Sequence, residues 1–378
     1  MYKINFQKPI HIHFIGIGGI SMSGLAEILL EEGFTVSGSD AKESPLTKKL
    51  ESEGAVIHYG QCAENITDDI NCVVYTAAIN KSNPELMEAV GKKIPMLTRA
   101  ELLGQLMKNY DTPIAVSGTH GKTTTTSMIS EVLLAADMDP TISVGGILKT
   151  IGGNIRVGKS GNFITEACEY TNSFLHFYPK ISVILNIEED HLDFFKDLED
   201  IRHSFHQFSA LLPSDGTLII NGDIKDYQEI YEGLDCNVIT YGSSAEFDYS
   251  ATEIQYDEKG FVSFELLKHN TSCGRVQLSV TGDHNVSNAL AAIATAELLG
   301  IPMDTIRKGL LSFSGTDRRF EYKGTFNGVT VVDDYAHHPT EIAATLKAAQ
   351  HYPHNEIWCV FQPHTYTRTK AFFHEFAE

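Results

Sequence analysis

Hydrophobic positions along the chain come in short continuous runs separated by longer amphipathic stretches. The apolar runs at 11–16 (HIHFIG), 34–39, 72–76, 113–116, 162–165, 182–186, 217–221, 328–333 and 356–361 have the length of buried strands. Between them, stretches such as 23–32 and the alanine-rich 285–299 repeat apolar residues at helical spacing. Strands alternating with helices predict an α/β fold built on parallel sheets.

Polar breaks divide that alternation. QLMKNYDT at 105–112 and SFSGTDRR at 312–319 read as linkers. The expected units are 1–107, 108–315 and 316–378. The last holds about sixty residues and ends in a helix-like stretch just after a new strand. Two or three strands are thin for an open sheet. The expectation is therefore a truncated third domain, with weak turnover if this fragment acts alone.

With 378 residues the chain exceeds a single ordinary core. Its 29 basic and 49 acidic residues give a net charge of −20, which argues against broad nucleic-acid binding. No signal-peptide pattern and no apolar run of about 18 residues stands out, so no membrane insertion and a cytoplasmic location are expected. The six cysteines are scattered without C-x-x-C pairs, and read as reduced packing residues. The sequence carries no signal of oligomeric state.

PIAVSGTHGKTT (113–124) reads as strand, glycine turn and helix start. Backbone N–H groups of such a loop cradle phosphates: Gly118, Thr119, His120, Gly121, Lys122, Thr123 and Thr124 are the candidates. Lys122 can reach the β- and γ-phosphates, and the Thr123 hydroxyl can ligate Mg²⁺. Val116 stands where the longer phosphate-loop pattern has its first glycine. A second glycine turn, GIGGISMSG (16–24), has Ser21 at the third glycine position, with Asp40 at the end of the next strand. It reads as a diphosphate grip or as a structural turn.

Glu166 ends a strand and can share a cation with Thr123. His191, in NIEEDHLD, is a second metal ligand or a structural histidine. Asn285 and Asn288, three apart, either read an adenine edge or, for Asn285, cap the helix. Arg319 suits charge on a transferred phosphoryl group, whereas Arg318 reads as a solvated surface charge. Asp333 and Asp334 suit a ribose or a metal.

In this order GIGGISMSGLAE (16–27), TRAELL (98–103), SGTHGKTTTT (117–126), TEACEY (165–170), NIEEDHLD (186–193), GDHNVSNALAA (282–292), RRFE (318–321), DDYAHHPTE (333–341) and FQPHTYTRT (361–369) resemble the Mur ligase superfamily of ATP-dependent amide ligases. The resemblance implies a Rossmann-like UDP-sugar domain, a central P-loop ATPase and a Rossmann-like C-terminal amino-acid domain. It implies UDP-N-acetylmuramate and L-alanine as substrates, ATP and Mg²⁺ as cofactors, and an acyl-phosphate intermediate. Carried over by position, Lys122, His191 and Arg319 are catalytic. Thr123, Glu166 and His191 hold metal. Asn285, Asn288, Arg319 and Asp334 join the phosphate loop around ATP. Gly16, Gly18, Gly19, Ser21, Met22, Asp40, Thr76, Ala77 and Arg99 take the UDP-sugar, and Tyr335, His337, His364 and Arg368 the amino acid. Thr365 stands where some members have a second arginine.

Three other readings are weighed against this one. A nicotinamide-dependent oxidoreductase leaves 118–123 unexplained. A P-loop switch protein leaves the first unit unexplained. A recycling ligase that adds a tripeptide to UDP-N-acetylmuramate shares the scaffold.

Overall fold

The computed structural model describes residues 2–76 and 78–377. The first sheet contains β1 (His11–Ile15), β2 (Thr35–Asp40), β3 (Val56–Tyr59), β4 (Cys72–Tyr75) and β5 (Met96–Thr98). Helices α1 (Ile20–Glu31), α2 (Pro45–Ser52), α3 (Pro84–Gly91) and α4 (Arg99–Met107) connect the strands and follow them. All its pairings are parallel, in the order β3-β2-β1-β4-β5. The order reverses between β1 and β4, where open sheets form a crevice. The 16–24 turn leaves β1 at that point.

The second sheet has ten strands: β6 (Thr112–Ser117), β7 (Thr141–Leu148), β8 (Gly153–Arg156), β9 (Asn162–Ala167), β10 (Ile181–Ile184), β11 (Thr217–Asn221), β12 (Asn237–Gly242), β13 (Tyr249–Tyr256), β14 (Val262–Lys268) and β15 (Thr271–Gln277). Its order is β15-β14-β13-β12-β11-β10-β6-β9-β7-β8. It is parallel from β13 to β7 and antiparallel at both edges. β6, β10 and β11 are apolar runs buried on both faces, as inner parallel strands must be. Helices α5 (Lys122–Ala135), α6 (Leu198–Ser209), α7 (Asp283–Leu298) and α8 (Met303–Ser312) cover the sheet. With β9 and β10 flanking β6, the ends of all three strands converge.

The first two sheets share an apolar core. One continuous buried cluster runs from Ile12 and Leu25 through Leu103 to Phe163, Phe174 and Phe205. α4 lies so close to the segment Tyr170–His176 that a Cβ on Gly104 would stand 1.9 Å from the His176 carbonyl oxygen. Phe6, Tyr110 and Phe163 extend the seam, with the last two stacked at 4.9 Å.

The third unit is built differently. β16 (Glu321–Phe326) and β17 (Val329–Asp333) form an antiparallel hairpin, followed by α9 (Pro339–Gln350) and the short α10 (Tyr366–Ala371). The sequence predicts a strand at 328–333, and β17 stands there. It also predicts a strand at 356–361, and that expectation is corrected: the segment pairs with no described strand, and Trp358 and Val360 are exposed. A strand needs a ladder partner; this segment has none among the described residues, and of its apolar side chains Phe361 stacks on Phe376 while Trp358 and Val360 face solvent. The hairpin partner β16 was not foreseen. The unit meets the second sheet through polar and aromatic contacts. Lys347 pairs with Asp283 at 2.6 Å, His351 stacks on Tyr256 at 3.7 Å, and Arg368 pairs with Asp190.

Candidate active site

The loop after β6 is held by the segment after β10. Asn186 Oδ1 accepts from the His120 N–H at 2.7 Å, and its amide donates to the His120 carbonyl at 3.1 Å. The Glu188 N–H donates to Thr119 Oγ1 at 2.9 Å. Gly118 and Gly121 both take positive φ, and Gly121 also lies tight against α7. A Cβ there would meet Asn288 Oδ1 at 2.8 Å, so backbone geometry and packing both select glycine.

Lys122 opens α5 and turns back over the loop, donating to the carbonyls of Gly118 and Thr119 and to Glu169 at 3.0 Å. Burial alone would lower its pKa, but Glu169 outweighs that and raises it, so the ammonium keeps its charge. Glu169 is itself buried and lies 3.7 Å from His191 Nε2. A chain of polar side chains, Lys122–Glu169–His191, results. His191 has positive φ and stacks on Tyr170 at 4.5 Å. Its ring faces Glu169 and Asp190, and not the Thr123–Glu166 pair.

Thr123 Oγ1 donates to Glu166 Oε2 at 3.1 Å, and Gly145 N–H donates to Oε1 at 2.5 Å. Burial raises the Glu166 pKa, with those hydrogen bonds acting against it. Two adjacent hard oxygen donors at a phosphate loop fit Mg²⁺, which takes one or two protein oxygens and completes its shell with water and phosphate.

A cavity of about 700 Å³ opens beside the loop, lined by His120, Thr124, Asn285, Asn288, Arg319 and Asp334 among others. Asn285 donates to the Thr281 carbonyl, and Asn288 donates to Asn285 Oδ1 at 3.0 Å. The helix N-cap is Gly282, so Asn285 does not cap it. Asp334 accepts from the N–H groups of Phe320 and Ala336. A second cavity of about 300 Å³ is lined by Asp190, His191, Tyr335, His337, His364 and Arg368, with Tyr170 and Thr365. Arg368 grips Asp190 with two nitrogens at 3.1 Å each. The Asp190 carboxyl is depressed: burial would raise it, but His191 and Arg368 prevail. Arg318 is exposed, as expected of a surface charge, and its guanidinium lies 4.5 Å over the Tyr335 ring.

His120 lines the larger cavity between two carboxylates. Its Nδ1 lies 3.1 Å from Glu341 and its Nε2 3.5 Å from Glu188. Burial would lower its pKa, yet the two carboxylates push it up to about 9, which makes it an imidazolium near neutrality. The His338 ring lies against it, tilted by 45° with centroids 4.8 Å apart. His120, Glu188 and His338 also lie close enough to suggest a metal cluster. However, His338 Nδ1 accepts from Thr340 N–H and Nε2 faces the Glu189 carbonyl, so neither nitrogen is free for an ion.

At the first sheet, Gly16 has positive φ and its N–H donates to Ser39, while Gly19 precedes α1. Asp40 accepts from Gly18 N–H at 2.8 Å and Ala41 N–H at 2.7 Å, so it braces the turn. Ser21 is exposed, whereas the Met22 side chain is buried in the core and can meet a ligand only through its backbone. Thr76 Oγ1 accepts from Ala78 N–H, and Ala77 lies outside the described residues. Arg99 opens α4; burial lowers its pKa and Cys168, at the end of β9, acts against that. Arg99 thus stands at the seam between the sheets.

Sequence reasoning passed over Glu169, Asp190 and Glu341. The only available signal was their place inside charged strings at strand ends and a helix start.

Comparison with known proteins covers nearly the whole chain. Residues 11–111 match the model described as Mur ligase family, catalytic domain; 116–296 match the Mur ligase middle domain; and 318–378 match the Mur ligase, glutamate ligase domain. A UDP-N-acetylmuramate–L-alanine ligase of Agathobacter rectalis is 63% identical over all of this chain and 82% of its own length. One from Lachnospira eligens is 62% identical over all of this chain and 83% of its own length. The solved UDP-N-acetylmuramate-alanine ligase of Thermotoga maritima superposes with a TM-score of 0.77 at 30% identity, over 90% of this chain and 78% of that one. A UDP-N-acetylmuramate:L-alanyl-gamma-D-glutamyl-meso-diaminopimelate ligase from Neisseria meningitides gives 0.74 at 31%, over 82% and 100%.

Proposed function

The chain belongs to the Mur ligase family, and from that premise we infer that it joins L-alanine to UDP-N-acetylmuramate with conversion of ATP to ADP and phosphate. The observation that carries this reading is the Lys122–Glu169–His191 chain. It leads from the loop beside the nucleotide-sized cavity to the wall of the smaller one. A ligase of this kind must bring phosphoryl donor, carboxylate and amine to one point.

The lactyl carboxylate of the UDP-sugar attacks the γ-phosphorus of ATP, the bond to the β-phosphate oxygen breaks, and ADP leaves. The acyl phosphate then has a good leaving group. The neutral amine of L-alanine attacks its acyl carbon, phosphate departs, and the amine proton passes to solvent or a nearby base. Lys122 and Arg319 neutralise charge on the transferred group, and positioning does most of the rest. Asn285 and Asn288 bind adenine, and Asp334 the ribose. The backbone at 16–22, with Thr76 and Arg99, binds the UDP-sugar. Arg368, Tyr335, His337 and His364 receive L-alanine. Thr123 and Glu166 would hold Mg²⁺, whereas the His191 ring faces Glu169 and Asp190; the ion when bound would supply neutralisation of phosphate charge.

The unit borders we propose are 107/108 and 315/316, where the chain leaves α4 and α8 for new strands. No helix among the described residues is long and apolar enough to cross a membrane. With all six cysteines free and nucleotide substrates, the cytoplasm is the compartment that suits this chemistry.

Phosphate release coupled to a colour reaction tests the function. With ATP and UDP-N-acetylmuramate present, release should require L-alanine and exceed that with serine, glycine or the tripeptide L-alanyl-γ-D-glutamyl-meso-diaminopimelate. Release that depends on the tripeptide alone would make the chain a recycling ligase instead.

A further inference from the structure

Glu341 lies in the first turn of α9, and its two carboxylate oxygens serve different ends. Oε2 faces the backbone: it accepts from the N–H groups of His337 at 3.1 Å and His338 at 3.4 Å, closing the capping box of the helix. Oε1 faces away from the helix. It stands 3.1 Å from His120 Nδ1 on the phosphate loop and 3.8 Å from an Arg319 guanidinium nitrogen. Capping needs only the first oxygen. The second gathers two cations, Arg319 and, from a position 221 residues earlier in the chain, His120.

We infer that Glu341 is a positioning residue that draws the phosphate loop, through His120, and Arg319 into one array when the third unit is docked. The inference rests on the ligase reading above. Arg319 lies in the connector to the third unit and can serve the transferred phosphoryl group only if that unit is seated. Glu341 ties seating to the loop: His120 is held from one side by Glu188 of the second unit and from the other by Glu341, with the tilted His338 ring packed against it. Burial would raise the Glu341 carboxyl, but His120, Arg319 and His337 hold it well below the usual range. It stays charged throughout the working pH range.

Glu341→Gln separates the two duties. Glutamine keeps an acceptor for the capping box. Its remaining NH₂ then faces two donors, so the fold survives and the array breaks. Alanine-dependent phosphate release should fall in kcat by about 10- to 100-fold, the scale of a small misplacement of reacting groups. KM for UDP-N-acetylmuramate should stay within about twofold, because that site lies on the first sheet. In a Glu341→Gln, His120→Ala double variant the second change should add little, since both act on one array. Full kcat in Glu341→Gln, or a purely additive double variant, would overturn the inference.

If the unaltered chain releases no alanine-dependent phosphate, the functional reading fails and a different readout decides the array. NMR titration of the His120 imidazole should give a midpoint near 9 in the unaltered chain. That midpoint should drop by about one unit or more in Glu341→Gln, as expected when one adjacent opposite charge is removed. An unmoved midpoint would overturn the inference on its own.

Discussion

At the scale of single residues, the site is a set of charges that have already found partners. Lys122 is shared between two loop carbonyls and Glu169. A nucleotide phosphate would exchange that set for its own oxygens without recruiting a new cation. Lys122→Ala should therefore abolish acyl-phosphate formation while leaving UDP-sugar affinity within about twofold, because Gly16, Gly18 and Asp40 lie on another sheet. Calorimetry with UDP-N-acetylmuramate checks this, and loss of sugar binding would contradict the division of labour. The residues legible in the sequence were those with a local motif around them, such as Gly118, Gly121, Lys122 and Thr123. Glu169, Asp190 and Glu341 escaped because their partners lie 47, 178 and 221 residues away, and no spacing rule reaches that far.

At the scale of elements, most strands declared themselves. The run 217–221 is buried at every position and coincides with β11. A continuous apolar run bordered by polar turns is what a doubly covered parallel strand requires. The run 356–361 has the same look and pairs with nothing described, because a strand is a property of a sheet and not of six residues. The close approach of α4 to 170–176 had no sequence signal beyond one glycine inside a helical pattern. Gly104→Ala gains about 1 kcal/mol of helix propensity. Against this, the added methyl would stand 1.9 Å from a backbone carbonyl oxygen, which must move. Overpacking costs about 1–3 kcal/mol, so the variant should lose net stability. Urea unfolding measures it; a midpoint equal to or above that of the parent would contradict the packing argument.

At the scale of the whole molecule, two kinds of joint coexist. The first two sheets meet through an apolar core, whereas the third unit is held by charged and aromatic pairs. The second kind responds to pH. The folded pKa of His120 is raised to about 9 from an ordinary 6.5, so its contribution to docking is full below about 6.5 and is lost as pH rises through about 9. Glu188 is lowered from 4.5, first by its hydrogen bond to His120, and its contribution is present above 4.5 and lost in acid. Small-angle scattering should show the molecule expanding between pH 7 and pH 10. In His120→Ala the expansion should already be present at pH 7. Scattering that is flat over this range in the parent would refute the electrostatic joint.

The shared apolar core has a consequence for how this molecule can be taken apart. A gene cut at residue 107 would yield two pieces, each carrying half of a seam that includes Leu103, Phe163 and Phe174. Each piece would present a bare oily wall to water and invite clumping. The first sheet is therefore not a portable cassette that can be grafted onto another enzyme, although its fold looks self-contained. The third unit, joined by a few charges, is the piece that can be exchanged.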